Sequence, residues 1–309
     1  MLYSKVTPEQ KRATLRELLM PGTARQFPGA FNPLSARLIG EKGFDGVYIS
    51  GAVLANDLGL PDIGLTTLTE VALRAGQIAR MTDLPSIVDA DTGFGEPMNV
   101  ARTIQELENA GLAGCHIEDQ FNPKRCGHLD GKNVVDLDTM VKRIAAAADA
   151  RRDPNFLIMA RTDVRAVDGL DVAINRAKAL VDAGADSIFP EALKDVAEFE
   201  AVCNAVDVPV LANMTEFGKS ELFTRRQLAE AGVAMVIYPV TLLRSAMGAA
   251  ERVLDAIAED GTQETQVNRM LTRARLYELV DYEAYNRFDT GIFNFQVPDL
   301  DIDSNNSNL

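Results

Sequence analysis

A thiol, a histidine and two fixed cations stand side by side in Lys124-Arg125-Cys126-Gly127-His128. Positive charge beside a cysteine stabilises its thiolate, so the group can give or take a proton near neutral pH, which a thiol in an apolar core does not do. Gly127 lends the stretch a hinge, and the loop follows the apolar run Gly114-Cys115-His116-Ile117. Cys126 therefore reads as a working thiol, with His128 beside it. Cys115 and Cys203 fall in apolar or helical settings and read as small core hydrophobes.

A second constellation is acidic. Asp89-Ala90-Asp91 and Glu118-Asp119 form two close carboxylate groups in a chain with only two histidines and no paired cysteines. Oxygen-only ligands suit a hard divalent cation that keeps several waters, and Mg²⁺ is the natural choice. The plainer alternative is that Asp89 or Asp91 caps the following helix. Arg161, Arg244 and Arg273, with Asn213 and Thr215 as neutral donors, supply the opposite chemistry. Guanidinium forks bind carboxylates through paired hydrogen bonds, so the expected ligand is a small di- or tricarboxylate. Arg244 and Arg273 fit the surface of a helix equally well.

Glycine punctuation indicates what positions these groups. Gly43, Gly111, Gly184 and Gly232 each close a helical pattern just before an apolar strand-like run. A left-handed glycine past a helix turns the chain into the next strand. Further strands follow Pro85, Pro154 and Pro209, where proline forbids helix just before it, and one opens the series near Arg25 to Phe31. Eight strands alternating with amphipathic patterns such as Val100 to Asn109 and Val172 to Val181 predict an α/β fold, a (β/α)8 barrel of the TIM type. An open doubly wound sheet is the rival, but no Gly-x-Gly-x-x-Gly turn follows the first strand. The candidate strands end in Tyr48 and Ser50, Asp89 and Asp91, Glu118 and Asp119, Arg161 and Asp163, Glu191, Asn213 and Thr215. In a barrel these would converge on one mouth. Residues 1–309 are expected to form one barrel domain with a helical extension over about 262–297, surplus to the barrel and able to swap between subunits. The polar residues 298–309 are expected to form a disordered tail.

Composition excludes several classes. The net charge of −14, with 31 cations against 45 anions and no basic block, lacks the electrostatic footprint that nucleic-acid binding needs. No export signal opens the sequence, and no apolar run reaches the ~18 residues of a membrane span. Three cysteines without paired spacing fit a reducing compartment, so the expected location is the cytoplasm.

Taken together, the motifs resemble the isocitrate lyase and phosphoenolpyruvate mutase superfamily, and within it the 2-methylisocitrate lyase family. The resemblance runs from Pro21 to about Tyr285. It is carried by Lys124-Arg125-Cys126-Gly127-His128, Val88-Asp89-Ala90-Asp91 with Gly93-Phe94-Gly95, His116-Ile117-Glu118-Asp119-Gln120, Ala160-Arg161-Thr162-Asp163, Phe189-Pro190-Glu191 and Ala212-Asn213 with Thr215-Glu216-Phe217-Gly218. It implies a Mg²⁺-dependent carbon-carbon lyase that cleaves 2-methylisocitrate to pyruvate and succinate in the methylcitrate cycle of propionate catabolism. By position it assigns Asp89 and Asp91 to the metal and Glu118 to a metal-bound water. Ser50, Gly51, Ala52, Cys126, Gly127, Arg161, Glu191, Asn213, Met214, Thr215, Arg244 and Arg273 are assigned to the substrate. It also implies a homotetramer with swapped terminal helices.

On that reading Cys126 is the general acid, and Tyr48 is one candidate base for the substrate hydroxyl, a carboxylate acting through water being the other. The loop from Gln120 to Asn133 is expected to close over the substrate. Phe189, Ile237 and Pro239 are candidates for the wall that admits the methyl group. One departure is Ala52, where many relatives carry glycine; a left-handed backbone there would be strained by alanine. Isocitrate lyase, dimethylmalate lyase, a phosphonate mutase and a non-catalytic binding barrel are the rivals, and the Cys-Gly-His thiol argues against the phosphonate chemistry.

Overall fold

The computed structural model describes residues 3–124, 133–218 and 220–293. Cys126, Gly127, His128 and the expected tail lie outside the described residues. The chain divides into two compact units, Lys5–Leu243 and the segment from Arg244 onward together with the residues before Lys5.

The first unit carries eight strands, β1 (Arg25–Pro28), β2 (Val47–Ile49), β3 (Ser86–Asp89), β4 (Gly114–Glu118), β5 (Leu157–Thr162), β6 (Ser187–Pro190), β7 (Leu211–Asn213) and β8 (Met235–Tyr238). Every pairing is parallel, in a five-stranded sheet β2-β3-β4-β5-β6 and a three-stranded sheet β1-β8-β7. Single parallel bridges, Gly29 to Tyr48 and Ile188 to Val210, join the two sheets at both seams. Strand order therefore runs from β1 round to β8 and back, which is the expected barrel. Gly43, Gly111, Gly184 and Gly232, at φ of 74°, 83°, 105° and 91°, stand just past four of the helices as the sequence predicts.

Strand alternation divides the apolar residues into two cores. Phe27, Tyr48, Ile87, Leu157, Met159, Phe189, Leu211, Met235 and Ile237 fill the barrel interior. Their neighbours Val88, Cys115, Ile117, Ile158, Ala160 and Ile188 face the surrounding helices. Cys115 is thus a core residue, its thiol pushed well up by burial, and Cys203, half-buried, is pushed up to about 12 by the same cause.

The helix Pro8–Leu18 is not foreseen above, although Thr7-Pro8-Glu9-Gln10 is a full capping box with proline at its first turn. Its Leu15, with Leu19 just beyond, joins the inner core, while Lys11 Nζ donates to the carbonyls of Ala79 and Thr82 at 2.8 and 2.6 Å. The helix thereby stoppers the end of the barrel opposite the strand termini.

Gly29, just past β1, meets the chain leaving β8 at very short range. Its N–H donates to the Tyr238 carbonyl at 2.9 Å, and a Cβ there would stand 2.0 Å from the Pro239 carbonyl oxygen. Backbone cannot move aside as a flexible side chain can, so Gly29→Ala should destabilise the fold by about 1–3 kcal/mol or more. Urea unfolding checks this, and an unchanged midpoint would contradict the close approach.

The helix Thr241–Asp260, most of which belongs to the C-terminal unit, is followed by a 3-10 turn over Glu264–Arg269 and helices Arg273–Leu279 and Tyr282–Phe293. The helical extension expected over about 262–297 is divided, where Thr272 caps a new helix and where Asp281 takes a left-handed φ of 57°. Among the described residues no helix is long and apolar enough to cross a membrane.

Candidate active site

At or just past the ends of five adjacent strands the inward side chain is polar: Asp89, Glu118, Arg161, Glu191 and Asn213, two residues beyond Ile87, His116, Met159, Phe189 and Leu211, of which all but His116 are apolar. Asp89, Glu118, Arg161 and Glu191 are all buried, Glu118 completely. Burying so many ionisable groups together is costly unless they pair or meet a ligand.

Asp89 and Asp91 share one side because they stand two residues apart. The Asp91 N–H donates to Asp89 Oδ1 at 2.9 Å, and the Gly51 N–H donates to Asp89 Oδ2 at 3.3 Å. A Cβ on Gly51 would lie 3.0 Å from Asp89 Oδ2 and 3.1 Å from Asp91 Oδ1, so both carboxylates converge on that glycine. Asp91 adopts a left-handed φ of 47°, held by the Glu118 N–H donating to its carbonyl at 2.8 Å. Neither aspartate caps a helix: the next one begins at Pro97 with Glu96 at its cap. Ser50 occupies the cap position of the helix Gly51–Asp57, and its side chain makes no capping bond. Ala52 lies within that helix and is not among the positive-φ residues, so alanine is unstrained there.

Lys124, read above as a neighbour of the thiol, buries its ammonium among the acids, 2.5 Å from Asp91 Oδ1 and 2.6 Å from Asp62 Oδ1. The two aspartates divide unequally. Burial raises both, but His116, Lys124 and Arg161 outweigh it at Asp89 and hold that carboxyl low, whereas burial and the charge of Asp89 push Asp91 up against the pull of Lys124.

Arg161 is framed by three carboxylates. Its Nε and Nη2 donate to Asp163 at 3.0 and 3.3 Å, and Nη2 stands 3.1 Å from Glu118 and 3.4 Å from Glu191. Its guanidinium carbon lies 5.1 Å from the centre of the Phe189 ring. Glu191 also accepts from Asn213 Nδ2 at 3.3 Å. Asp119, grouped with the mouth acids above, turns away from them. It accepts from Thr162 Oγ1 at 2.6 Å, the Asp163 N–H at 2.9 Å and Arg176 Nη1 at 3.0 Å, and so braces the loop that carries Asp163. Strand parity explains the correction, because adjacent residues face opposite sides.

Beneath the acids the Tyr48 hydroxyl meets His116 Nε2 at 2.7 Å, and His116 Nδ1 faces Asp89 Oδ1 at 3.6 Å. Burial raises the Tyr48 phenol well above its usual range and pushes His116 down to about 4, so both rings are neutral near pH 7.

Of the remaining expected site residues, Thr215 is buried just past β7, while the Met214 side chain packs in the outer core and its sulfur accepts the Phe223 N–H at 3.3 Å. Arg244 and Arg273 belong to the C-terminal unit, near the starts of the helices Thr241–Asp260 and Arg273–Leu279. Cys126, Gly127 and His128 are outside the described residues. Lys124, Asp62 and His116 are site neighbours to which the reading above gives no role at the acids. Lys124 and His116 stand inside quoted motifs, whereas nothing local marks Asp62.

The acids suit a hydrated divalent ion. Both oxygens of Glu118 and Oδ1 of Asp91 are buried and receive no hydrogen bond among the described residues, their cation contacts being ion pairs. No group of three or more His, Cys, Asp or Glu among those residues encloses a metal unaided. Carboxylate oxygens left in this way suit a hard divalent cation that completes its shell with water.

A parallel barrel with an acid and arginine cluster at the carboxyl ends of its strands defines an enzyme-type mouth. The phosphoenolpyruvate phosphomutase family model matches residues 15–258, and the chain belongs to that family. The chain is 61% identical over 297 residues to a probable 2-methylisocitrate lyase of Corynebacterium glutamicum, covering 96% of this chain and 97% of that protein. It is 47% identical over 284 residues to a 2-methylisocitrate lyase of Aeropyrum pernix, covering 92% of each. Among solved structures, 2,3-dimethylmalate lyase superposes with a TM-score of 0.85 at 32% identity, covering 95% of this chain and 99% of that one. A phosphonopyruvate hydrolase complexed with oxalate and Mg²⁺ gives 0.81 at 27% identity, covering 94% and 100%.

Proposed function

We propose that this protein is a Mg²⁺-dependent 2-methylisocitrate lyase, yielding pyruvate and succinate for propionate catabolism in the cytoplasm. The observation that carries the reading is the convergence of Asp89, Asp91 and Glu118 on one mouth, in a chain 61% identical across nearly its whole length to a protein of that assignment. Asp89 and Asp91 would hold the ion, with Glu118 toward a bound water. When bound, Mg²⁺ lowers the pKa of a coordinated hydroxyl and stabilises the carbonyl oxygen that replaces it.

The chain's own groups do the rest. Ser50 and the backbone N–H of Ala52, with Gly51 between them, bind one substrate carboxylate. Tyr48 stands at the substrate hydroxyl as a neutral hydrogen-bond partner, and the hydroxyl proton passes through water to a mouth carboxylate as the carbon-carbon bond breaks. Arg161, Glu191, Asn213 and Thr215 receive the succinate half, where a positive charge stabilises the electron pair released as the carbon-carbon bond breaks. The Met214 contact is assigned to its backbone. Cys126, with Gly127 and His128 beside it, delivers the proton that turns that half into succinate. Arg244 and Arg273 are proposed as further carboxylate contacts.

The exposed apolar residues of the C-terminal helices, among them Met247, Leu254, Ile257, Leu276 and Phe288, support a homotetramer in which these helices pack on a second copy. Sedimentation equilibrium tests the assembly.

Phe189, at the barrel centre beneath Arg161, and Ile237 are proposed, with Pro239, as the wall that accepts the methyl group. A methyl in an apolar pocket is worth only ~1–3 kcal/mol, so slower cleavage of isocitrate is expected. The test offers 2-methylisocitrate, isocitrate and phosphonopyruvate separately. Pyruvate and succinate in equal amounts from the first are expected, and turnover of phosphonopyruvate alone would overturn the reading.

A further inference from the structure

A guanidinium carries five N–H donors in a rigid plane, and the structure commits those of Arg161 unequally. Its Nε and Nη2 donate side by side to the Asp163 carboxylate at 3.0 and 3.3 Å, while Glu118 and Glu191 stand 3.1 and 3.4 Å from Nη2. Among the described residues Nη1 has no acceptor. Asp163 is in turn held from behind. Its N–H donates to Asp119 Oδ1 at 2.9 Å and its carbonyl accepts the Ala166 N–H at 3.2 Å, with Asp119 tied to Thr162 Oγ1 and Arg176 Nη1 at 2.6 and 3.0 Å. Asp119, Thr162 and Asp163 are fully buried, so water does not compete for these bonds.

A guanidinium and a carboxylate meet best through two parallel hydrogen bonds. Without Asp163 the paired edge of Arg161 would be left to close on Glu118, the nearest remaining carboxylate, and the cation would leave its place beside the Phe189 ring. We propose that Asp163 is a positioning residue: by taking the Nε and Nη2 edge of Arg161 it keeps that fork off Glu118 and reserves Nη1 for a carboxylate of the ligand. Glu118 thereby keeps its oxygens for the mouth. Which ligand carboxylate meets Nη1 rests on the lyase reading above, where it is that of the succinate half; the orientation of Arg161 does not.

The experiment compares wild type, Asp163→Asn, Arg161→Gln and the double variant as full-length proteins with Mg²⁺. Asparagine keeps the shape of aspartate but offers one acceptor oxygen, so one N–H of Arg161 would face an amide N–H. A hydrogen bond to a charged group corresponds to about 10-fold to 10²-fold. Asp163→Asn should weaken succinate binding on that scale by calorimetry and lower kcat for 2-methylisocitrate with it, while Mg²⁺ affinity and inhibition by pyruvate stay unchanged. A general loosening of the fold would weaken both halves alike. In the Arg161→Gln background, Asp163→Asn should cost nothing further in succinate affinity. Equal losses for succinate and pyruvate, or effects that multiply in the double variant, would overturn the positioning role.

A crystal structure of the wild type with succinate decides the same point should Asp163→Asn fail to fold. Both bonds to Asp163 should persist, with the succinate carboxylate on Nη1; a guanidinium that has left Asp163 to reach the ligand would overturn the proposal. A wild type that neither cleaves 2-methylisocitrate nor binds succinate would sink the lyase reading instead. The structure of Asp163→Asn then decides the orientation: a fork closed on Glu118 supports it, and an unmoved guanidinium overturns it.

Discussion

Cys126→Ser is expected to lower turnover by about 10²-fold to 10⁴-fold, the scale on which a positioned proton donor contributes, while folding and Mg²⁺ binding stay intact. Cleavage between the pyruvate and succinate halves leaves an electron pair on carbon, which must be protonated before succinate can leave. A hydroxyl is far less acidic than a thiol, so serine fills the space without serving as the acid. The cations around Cys126 are not equivalent in this role. Lys124 is committed to Asp91 and Asp62, which leaves Arg125 and His128 as the sequence neighbours able to tune the thiol. Circular dichroism and Mg²⁺ titration establish that the variant is intact. Turnover within a few-fold of wild type would remove Cys126 from the mechanism.

Arg161→Met should cost about 3–5 kcal/mol of stability, the usual penalty for stranding buried charge by deleting its partner. The guanidinium is the shared cation of Asp163, Glu118 and Glu191, at 3.0, 3.1 and 3.4 Å. Methionine matches its length and packs well against Phe189, so the loss would report the three carboxylates rather than a cavity. Activity should fall with it, because the carbanion half loses a strand-end cation. Denaturant unfolding measures the effect. A loss below about 1 kcal/mol would mean that water or protons already neutralise these acids.

The sequence carried the barrel because its signals are local. Apolar strands, glycine joints and proline breaks each act within a few residues, and Gly43, Gly111, Gly184 and Gly232 all took the left-handed φ their positions demanded. The helix Pro8–Leu18 was equally legible through its capping box, yet it lies outside the strand-helix repeat that organises the reading. The site was legible where parity and motif agreed, as at Asp89 with Asp91. Asp119 was misgrouped because adjacency was read as proximity, although neighbours on a strand face opposite ways. Asp62 and Lys124 meet across sixty-two positions of chain, and that pairing depends on the assembled mouth, which no local pattern encodes. His116 read as part of an apolar strand, and its bond to Tyr48 is a tertiary contact that no local pattern marks.

The central claim is that the strand-end carboxylates at the barrel mouth hold a divalent ion on which cleavage depends. Chelator-treated protein assayed on 2-methylisocitrate tests it most directly, with Mg²⁺ added back to wild type and to Asp89→Asn. The account predicts no pyruvate from the stripped enzyme, full recovery of the wild type with Mg²⁺ and no recovery of Asp89→Asn. Undiminished pyruvate release from the stripped wild type, or full recovery of Asp89→Asn, would contradict it.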